Sequence, residues 1–329
     1  MKRWVRMFAI AVTASLFYAA GPADVTAKEK EFPEKAIQFY VGFVPGSATD
    51  LAARALAKIA PKYLDKPLVV TNMPGAGQTV AMNELFKSTP DGHAIGLVTT
   101  AFNSLAVHQM KIPFDHKALI PLMGFGEFRG VMFVKGDTPY AKVDDLISHA
   151  RKNPGWMKFC HSGRGTSIHI MGVLFFRSAK VDFNDVPFKG GAECVTNVIG
   201  GHVPAGITEV SGITQHLAAG TLKLSVTFTA ERLKEYPDVP TSQEKGYADI
   251  SSQNPLVYLA IHKDTPPERL KKLHDALKKT AEDPEFAELI KAMGMPGGYI
   301  SPQRVRDTIS NAESMGIPLM KELGMLVNQ

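Results

Sequence analysis

Short apolar segments alternate with amphipathic segments along most of this 329-residue chain, and that alternation limits the folds open to it. Residues 36–43, 68–72 and 94–99 have the length and composition of buried strands. The first two are each followed by a glycine-containing turn and then by a segment in which apolar residues recur with helical spacing. Alternation of strand and helix predicts an α/β fold with mainly parallel sheets.

The alternation is interrupted twice, which predicts two lobes. A second series of strands and helices starts at Val131, and a further apolar strand at residues 256–262 follows another change of character. The chain is long enough for two domains of ordinary size. We therefore expect residues 28–130 and 253–329 to form lobe 1, residues 131–252 to form lobe 2, and the two crossings to form a hinge.

The N-terminus has the order of a secretory signal peptide. Three basic residues within the first six precede an uncharged, mostly apolar run over residues 7–20, and Val25-Thr26-Ala27 supplies small residues before a cleavage site. The alternative, an N-terminal membrane anchor, needs about 20 apolar residues, which is longer than this run. Residues 1–27 are therefore predicted to be a signal peptide cut near Ala27, which would place the mature protein in the periplasm.

Composition and charge argue against several classes of function. Hydrophobic residues make up 45% of the chain and charged residues 21%, as in ordinary globular domains. The formal net charge of +5 is small and the basic residues are dispersed, so we expect no nucleic-acid partner, although mild positive charge suits an anionic ligand. No Cys or His spacing typical of a metal site occurs, and we expect neither metal nor cofactor. The mature chain is expected to be a soluble monomer.

The chain contains two cysteines, Cys160 and Cys194, both on segments predicted to face a core. An oxidising compartment would permit them to pair. Two cysteines in so long a chain do not make a disulfide scaffold, however, and we expect buried free thiols in preference to a bridge.

Three strand-to-helix turns carry most of the functional signal. In open α/β sheets, ligands bind beyond the carboxyl ends of the strands, where such turns converge. The turns are residues 45–50, 72–79 and 161–167, and each contains glycine together with hydroxyl side chains. Glycine lets backbone N–H groups approach a ligand closely, and the helix that follows adds unpaired N–H groups and a positive dipole end. A carboxylate fits such a turn without a cationic side chain.

Two alternatives stay open for these turns. One is that Ser47 or Thr49 serves only as the N-cap of a helix. The other is that Ser162 and His169 form a nucleophile and its base. The third turn matches neither G-x-S-x-G nor a P-loop, and a helix dipole disfavours an imidazolium at His169. We therefore expect no catalytic residue and no enzyme activity.

Several short motifs follow one another along the chain. They are residues 45–50 (Pro-Gly-x-x-x-Asp), 72–77 (Asn-x-Pro-Gly-Ala-Gly), 90–92 (Pro-Asp-Gly), 162–169 (Ser-Gly-x-Gly-x-Ser-x-His), 186–190 (Val-Pro-Phe-Lys-Gly), 200–202 (Gly-Gly-His), and Arg232 with residues 236–246. Each motif is weak alone. The ordered set, which spans nearly the whole mature chain, resembles the periplasmic substrate-binding proteins of tripartite tricarboxylate transporters, also called the Bug family.

The resemblance implies a type II periplasmic-binding-protein fold, in which two lobes close on a small organic carboxylate. It implies that loop N–H groups, hydroxyls and bridging waters hold the carboxylate, and that the protein delivers it to the permease subunits of a membrane transporter. A ligand-sensing accessory protein for a membrane receptor is the alternative. The positions that match the family's site are Gly46, Ser47, Ala48, Thr49 and Asp50 in lobe 1, Thr99, Thr100 and Asn103 between the lobes, and Ser162, Gly163, Thr166, Ser167 and His169 in lobe 2.

Three departures from the family pattern concern the ligand. Ser47 stands where the family often has a second glycine, and Gln78 stands where a further glycine usually ends the second turn. By its spacing from residues 200–202, Thr208 takes the place of an aspartate that faces the cleft. Loss of that carboxylate removes repulsion against a second ligand carboxylate, but it also removes a partner for a ligand amine or hydroxyl. Thr208 is therefore included among the predicted ligand-binding residues.

Overall fold

The structure, a computed structural model, describes residues 32–293 and 295–327. The signal peptide predicted over residues 1–27 lies outside these ranges. In chain order the strands are β1 (Ile37–Val41), β2 (Leu68–Asn72), β3 (Ala94–Thr99), β4 (Leu119–Glu127), β5 (Gly130–Lys135), β6 (Met157–His161), β7 (Phe183–Pro187), β8 (Ala205–Glu209), β9 (Leu222–Thr227), β10 (Leu256–His262) and β11 (Gly297–Ile300).

Helices alternate with these strands through most of the described chain, as the sequence predicts. In the part of the chain that the structure describes, no helix combines the length and the apolar composition of a membrane span. The helices are α1 (Ala48–Ile59), α2 (Pro61–Leu64), α3 (Thr79–Lys87), α4 (Val107–Gln109), α5 (Val143–Lys152), α6 (Ser167–Ser178), α7 (Gly191–Ile199), α8 (Thr214–Ala218), α9 (Pro267–Glu282), α10 (Pro284–Ala292) and α11 (Pro302–Glu322).

The first sheet has six strands in the order β11-β4-β10-β3-β1-β2. Strand β1 lies parallel between β2 and β3, so that Phe39 pairs with Val70 on one side and with Ile95 on the other. The chain runs from β1 out to β2 and then crosses back over β1 to form β3. This reversal of direction opens a crevice beyond the carboxyl ends of β1 and β3, which is where ligands bind in open α/β sheets.

The second sheet has five strands in the order β7-β6-β8-β5-β9. Strand β6 lies parallel to β7 and β8, whereas β5 is antiparallel to β8 and β9. In the first sheet, β10 is antiparallel to both β3 and β4. The α/β fold with two sheets is therefore confirmed, and both sheets are mixed: β1, β2 and β3 form a parallel part of the first sheet and β6, β7 and β8 a parallel part of the second, each bordered by antiparallel pairs. The chain enters β5 and β10 directly from the other sheet. Neither strand follows the helical crossover that parallel neighbours need, and both are antiparallel to their neighbours.

Each sheet is covered on both faces, and successive strand residues point to opposite layers. On β3, Leu97 belongs to the core under α1 and α9, and Val98 belongs to the core under α3 and α11. On β5, Met132 packs in the layer of α5 and α6, and Phe133 packs in the layer of α7. This period of two is the pattern expected of a strand buried on both sides.

The two crossings between the sheets meet at Asn254. The chain leaves the first sheet after β4 and returns to it at β10. The Asn254 side chain is 1% exposed; its Oδ1 accepts a hydrogen bond from the Gly130 N–H at 2.6 Å, and its Nδ2 donates to the Phe228 carbonyl at 2.7 Å. One buried amide therefore joins the outgoing crossing, the end of β9 and the returning crossing.

The last helix, α11, provides another connection between the two halves. Near its start, Val305 packs in the core that covers the first sheet. Near its end, Leu319 and Met320 pack in the core of the second sheet. Glu322, its last residue, accepts two hydrogen bonds from the Arg177 guanidinium of α6, at 2.6 and 2.7 Å. Residues 302–322 thus contact both sheets rather than only the first.

The two cysteines form a disulfide, so the expectation of free thiols is wrong. Cys160 on β6 and Cys194 on α7 are both fully buried, which confirms that their segments face a core. Helix α7 packs against the end of β6, and this brings the two Cα atoms to 5.4 Å, within the range that a disulfide spans. The sequence separation could not show that packing.

Replacing Asn254 with alanine should destabilise the protein by about 2–4 kcal/mol, because the Gly130 N–H and the Phe228 carbonyl would be left buried without partners. Urea unfolding at neutral pH measures the change. Asn184 is exposed and its side chain makes no hydrogen bond to residues 32–293 or 295–327, so it supplies the control: Asn184→Ala should change stability by less than about 0.5 kcal/mol. A loss at Asn254 no larger than the loss at Asn184 would contradict the hinge role.

Reducing the disulfide should also lower stability. The bridge closes a loop with a sequence separation of 34 residues. Loop-closure entropy for a loop of this length amounts to about 3–4 kcal/mol. Urea unfolding with and without dithiothreitol tests this, and the double variant Cys160→Ala/Cys194→Ala, which lacks the bridge, should not respond to the reductant. Equal urea midpoints for the wild-type protein in both conditions would refute the prediction.

Candidate functional site

The first turn follows β1 and opens α1. Ser47 is the N-cap of α1: its backbone is extended, and its Oγ accepts a hydrogen bond from the Asp50 N–H at 3.2 Å. The capping role that the sequence left open is therefore present. A cap uses a lone pair of the hydroxyl, so the Ser47 proton stays available to a ligand. Thr49 lies inside the first helical turn, with a buried side chain.

Asp50 holds the first turn in shape. Its carboxylate is 1% exposed and accepts hydrogen bonds from the Gly46 N–H at 2.8 Å, from Asn72 Nδ2 at 2.7 Å and from Arg54 Nε at 3.0 Å. Burial raises the pKa of Asp50, but the hydrogen bonds from Arg54, Asn72 and Gly46 outweigh burial and leave the pKa lowered. Among the described residues these partners occupy both carboxylate oxygens, so Asp50 organises the turn and offers little to a ligand.

Each half of the molecule presents a helix end with unpaired N–H groups. The N–H groups of Ala48 and Thr49 at the start of α1 have no acceptor among the described residues, and the same holds for Ser167 and Ile168 at the start of α6. Helix geometry explains this, because the first N–H groups of a helix have no carbonyl in a preceding turn. Together with the helix dipole, these groups favour an anion at each helix end.

The second turn has an unusual backbone. Four consecutive residues have positive φ: Gly75 at 134°, Ala76 at 42°, Gly77 at 57° and Gln78 at 82°. The Gln78 side chain folds back onto the end of β3, where its Oε1 accepts the Thr99 N–H at 2.9 Å and its Nε2 donates to Thr99 Oγ1 at 3.1 Å. Gln78, which the sequence marked only as a departure from the family pattern, therefore contacts a predicted site residue.

The segment after β3 is fixed to β10. Thr100 Oγ1 accepts the Leu256 N–H at 3.0 Å, and Asn103 Oδ1 accepts the Tyr258 hydroxyl at 2.5 Å. The second bond leaves the Asn103 Nδ2 group without an acceptor among residues 32–293 and 295–327. Asn103 therefore has donors to offer, whereas the Thr100 hydroxyl contributes to fixing the segment.

The third turn is held by two stacked histidines. The rings of His161 and His169 lie 4.6 Å apart, and both side chains are buried. His161 Nδ1 lies 3.0 Å from the Gly163 carbonyl oxygen and 3.2 Å from the Gly163 nitrogen; in the tautomer whose Nε2–H faces Asp185, it accepts from the Gly163 N–H. The Gly165 N–H donates to His169 Nδ1 at 3.2 Å. Each ring turns its Nε2 toward Asp185 Oδ2, at 3.3 and 3.8 Å. An acidic residue on β7 thus orients two imidazoles, which in turn hold two glycine N–H groups.

Burial lowers the pKa of both histidines. At His161, the effect of burial outweighs that of the Asp185 carboxylate, which raises the pKa. At His169, burial and the adjacent His161 together lower the pKa to about 4. Burial raises the pKa of Asp185, but hydrogen bonds from His161 and Arg164 outweigh burial and lower it overall. At neutral pH both rings are neutral and Asp185 is ionised, which is the state that this hydrogen-bonding pattern requires.

The same pattern bears on metal binding and on catalysis. His161, His169 and Asp185 lie close enough to surround an ion. A metal-binding histidine normally donates its other ring N–H to an acceptor, whereas the Nδ1 of His169 accepts from a backbone N–H. The donor set therefore does not fit a metal ion.

His169 is also not hydrogen-bonded to Ser162 among the described residues, so the alternative nucleophile and base are not assembled.

The remaining residues predicted for lobe 2 are a helix cap, two serines of the third turn and a buried threonine on β8. Thr166 is the N-cap of α6: its Oγ1 accepts the His169 N–H at 3.3 Å and donates to the Gly163 carbonyl at 2.7 Å. The hydroxyls of Ser162 and Ser167 make no hydrogen bond within the described residues. Thr208 lies near the end of β8, beside Gly191 at the start of α7. A Cβ added to Gly191 would lie 3.1 Å from Thr208 Oγ1.

The two halves touch at the third turn. Gln109 on α4 donates from its Nε2 to the Gly165 carbonyl at 2.8 Å. Helix α4 continues the segment that contains Asn103, so this bond sets that segment against the third turn. The sequence did not predict Gln109, His161 or Asp185 as site residues, because their roles depend on contacts between distant segments.

Two surface cavities, of about 420 and 360 Å³, lie away from the turns, on α5 and beside α2.

Comparison with known families identifies the class of protein. Residues 52–325 match the model of the family described as "Tripartite tricarboxylate transporter family receptor". The match covers most of the chain, which therefore belongs to this family of solute-binding receptors. The family and its fold are those of substrate-binding proteins rather than enzymes.

Curated relatives extend the likeness over nearly the whole chain. The chain is 28% identical over 316 residues to a UPF0065 protein from the gbd 5′ region of Cupriavidus necator, covering 96% of this chain and 95% of the relative. It is 25% identical over 324 residues to the protein BugT of Bordetella pertussis, covering 97% of this chain and 99% of the relative. The resemblance to the Bug family is confirmed.

Solved structures confirm the two-sheet fold. A TctC solute-binding protein from Polaromonas, solved without ligand, has a TM-score of 0.80 at 22% identity, with 88% of this chain and 99% of that chain covered. The R. palustris protein Rpa4515, solved with adipate, has a TM-score of 0.71 at 22% identity, with 89% and 98% covered. At these identities the likeness establishes the fold alone.

The lowered pKa of His169 predicts that acid destabilises the protein. Between about pH 6.5 and pH 4 the unfolded chain binds a proton at His169 and the folded chain does not, so stability is present above pH 6.5 and is lost as the pH falls. The shift corresponds to about 3 kcal/mol at most. Urea unfolding between pH 7 and pH 4.5 should show a shallower loss for His169→Asn, which keeps an acceptor for Gly165. Parallel pH profiles would contradict the assignment.

Proposed function

We propose that the chain is an extracytoplasmic solute-binding protein that captures a small organic carboxylate and delivers it to a tripartite tricarboxylate transporter. Residues 28–130 and 253–329 form lobe 1 in this proposal, and residues 131–252 form lobe 2. The membership of the two sheets supports these boundaries, because the chain changes sheet between β4 and β5 and again between β9 and β10. The family description supports the permease partner.

The observation that carries the proposal is the pair of helix ends with unpaired N–H groups, one at the start of α1 and one at the start of α6. Both helices have 12 residues, and each follows a strand whose carboxyl end borders the parallel part of its sheet. Neutral donors arranged in this way bind a carboxylate without a cationic side chain. The hydroxyls of Ser47, Ser162 and Ser167 lie in the same turns and add donors.

The site residues can be given separate roles in this proposal. Donors to the ligand come from the N–H groups of Ala48, Thr49 and Ser167, together with the side chains of Ser47, Ser162, Ser167 and Asn103. Residues whose hydrogen-bonding groups are already engaged hold the turns in shape: Gly46 and Gly163 through backbone groups, and Asp50, Thr99, Thr100, Thr166 and His169 through side chains. Thr208 borders the site near α7 and shapes the space on the side of lobe 2.

A dicarboxylate suits an arrangement with one anion-binding helix end in each lobe. The R. palustris protein of the same fold was solved with adipate, a straight-chain dicarboxylate. Two carboxylates at opposite ends of one molecule would each meet a positive helix end when the lobes close on it. We therefore propose aliphatic dicarboxylates as the first ligands to test.

Calorimetric titration and thermal denaturation with a panel of mono-, di- and tricarboxylates test this function. A ligand at about 100 times its Kd should stabilise the protein by about 2.7 kcal/mol. Ala48→Pro should weaken binding by about tenfold or more, because proline removes one charge-assisted hydrogen bond and is tolerated at the first position of a helix. Ser47 is already extended, as a residue before proline must be.

Ala48→Gly is the matched control, since it keeps the N–H group and changes only the Cβ. Its affinity should stay within about threefold of the wild-type value, because an exposed helix start tolerates glycine well. Equal affinity of the proline and glycine variants would show that the start of α1 does not bind the ligand. If the whole panel gives neither heat nor a thermal shift with the wild-type protein, the carboxylate function is wrong.

A further inference from the structure

The Gln78 side chain lies in the crevice between the carboxyl ends of β1 and β3, against Gly42 on one side and Thr99 on the other. A Cβ placed on Gly42, the residue that follows β1, would lie 2.8 Å from the Gln78 Cβ. Gln78 therefore packs directly on the backbone at the base of the first turn, and a larger residue than glycine at position 42 would overlap it. This crevice is the point where the order of the strands reverses.

Two hydrogen bonds fix the direction of the Gln78 carboxamide. The Thr99 N–H is an obligate donor, so the atom that faces it at 2.9 Å must be the oxygen Oε1. The nitrogen Nε2 then donates one of its hydrogens to Thr99 Oγ1 at 3.1 Å. Its second hydrogen has no acceptor among the residues that the structure describes. Gln78 therefore both occupies the crevice and carries a spare donor.

The backbone at this position is one that glutamine rarely adopts. Gln78 has φ 82° and ψ −3°, in the left-handed region that glycine enters without steric cost. A side chain persists in such a conformation only where its surroundings determine it, and residues of this kind concentrate at functional sites. Here Thr99 and Gly42 supply the surroundings. The backbone would suit glycine, so the side chain is retained against the local conformational preference.

We propose that Gln78 is a specificity-determining residue of the ligand site. Its carboxamide closes the β1–β3 crevice, sets the length of aliphatic dicarboxylate that the site accepts, and directs its spare Nε2 hydrogen to the ligand. The inference rests on the proposed carboxylate-binding function. It goes further in assigning the length limit in lobe 1 to one residue outside the helix ends that bind the carboxylates.

The first test replaces Gln78 with glutamate and measures the Kd of adipate by calorimetric titration. Glutamate keeps an oxygen for the Thr99 N–H and a second oxygen for the Thr99 hydroxyl, so the contacts that fix the turn survive. It also places a negative charge beside the ligand in place of a donor. Adipate should bind at least about tenfold more weakly to Gln78→Glu. A Kd within about twofold of the wild-type value would show that Gln78 does not face the ligand.

The second test removes the side chain altogether and compares succinate, glutarate, adipate, pimelate and suberate. Gln78→Gly empties the crevice and relieves the left-handed backbone. The dicarboxylate that binds most tightly should become longer by at least one methylene, with a gain of about fourfold in affinity for each methylene buried in the opened crevice. An unchanged order of affinities would overturn the proposed length limit.

Ala76→Gly is the matched control. Ala76 lies two residues away with φ 42°, so glycine relieves the same kind of backbone strain without touching the carboxamide. Its Kd values should keep the wild-type order and lie within about twofold of the wild-type values. If the wild-type protein binds none of the five acids, the dicarboxylate function fails and this inference fails with it. Wild-type binding with unaltered Gln78→Glu and Gln78→Gly profiles would overturn the inference alone.

Discussion

The buried amide of Asn254 sets how the two halves of this protein meet. It bonds to Gly130 at the start of β5 and to Phe228 after β9, two neighbouring strands of the second sheet, while its own chain continues into β10 of the first. Water cannot replace these partners at a site that is 1% exposed. Any movement of one sheet relative to the other must therefore occur around this set of bonds, with α11 following, because it packs on both cores.

Within that frame, each half uses an ionised aspartate to shape a glycine-containing turn. Asp50 binds the Gly46 N–H directly, and Asp185 acts through two neutral histidines on the N–H groups of Gly163 and Gly165. The acidic groups thus hold the backbone that surrounds the helix ends and leave the first N–H groups of α1 and α6 unpaired. Turns that are already fixed in this way would lose little conformational entropy on binding a ligand.

The sequence was most informative where local chemistry decides the structure. Periodicity located β2, β3 and β10 at their observed bounds, and Ser47 is the cap that its position suggested. It failed where distant segments meet. The antiparallel direction of β5, the Cys160–Cys194 bridge and the role of Asp185 all depend on which elements pack together. The helix ends and hydroxyls of the candidate site were readable in the motifs, whereas the residues that hold them were not.

Charge compensation bears on how the proposed site would select a ligand. Arg54 and Arg164, the cationic side chains at the first and third turns, are each paired with an aspartate at 3.0 Å, so the donors left at the two helix ends are neutral. A free cation attracts any anion of suitable charge. Oriented N–H groups reject a ligand whose oxygens do not reach them, because an unpaired buried donor costs about 1–3 kcal/mol. In the proposed function, selection would then depend on side chains that limit the space between the donors, such as Gln78 and Thr208.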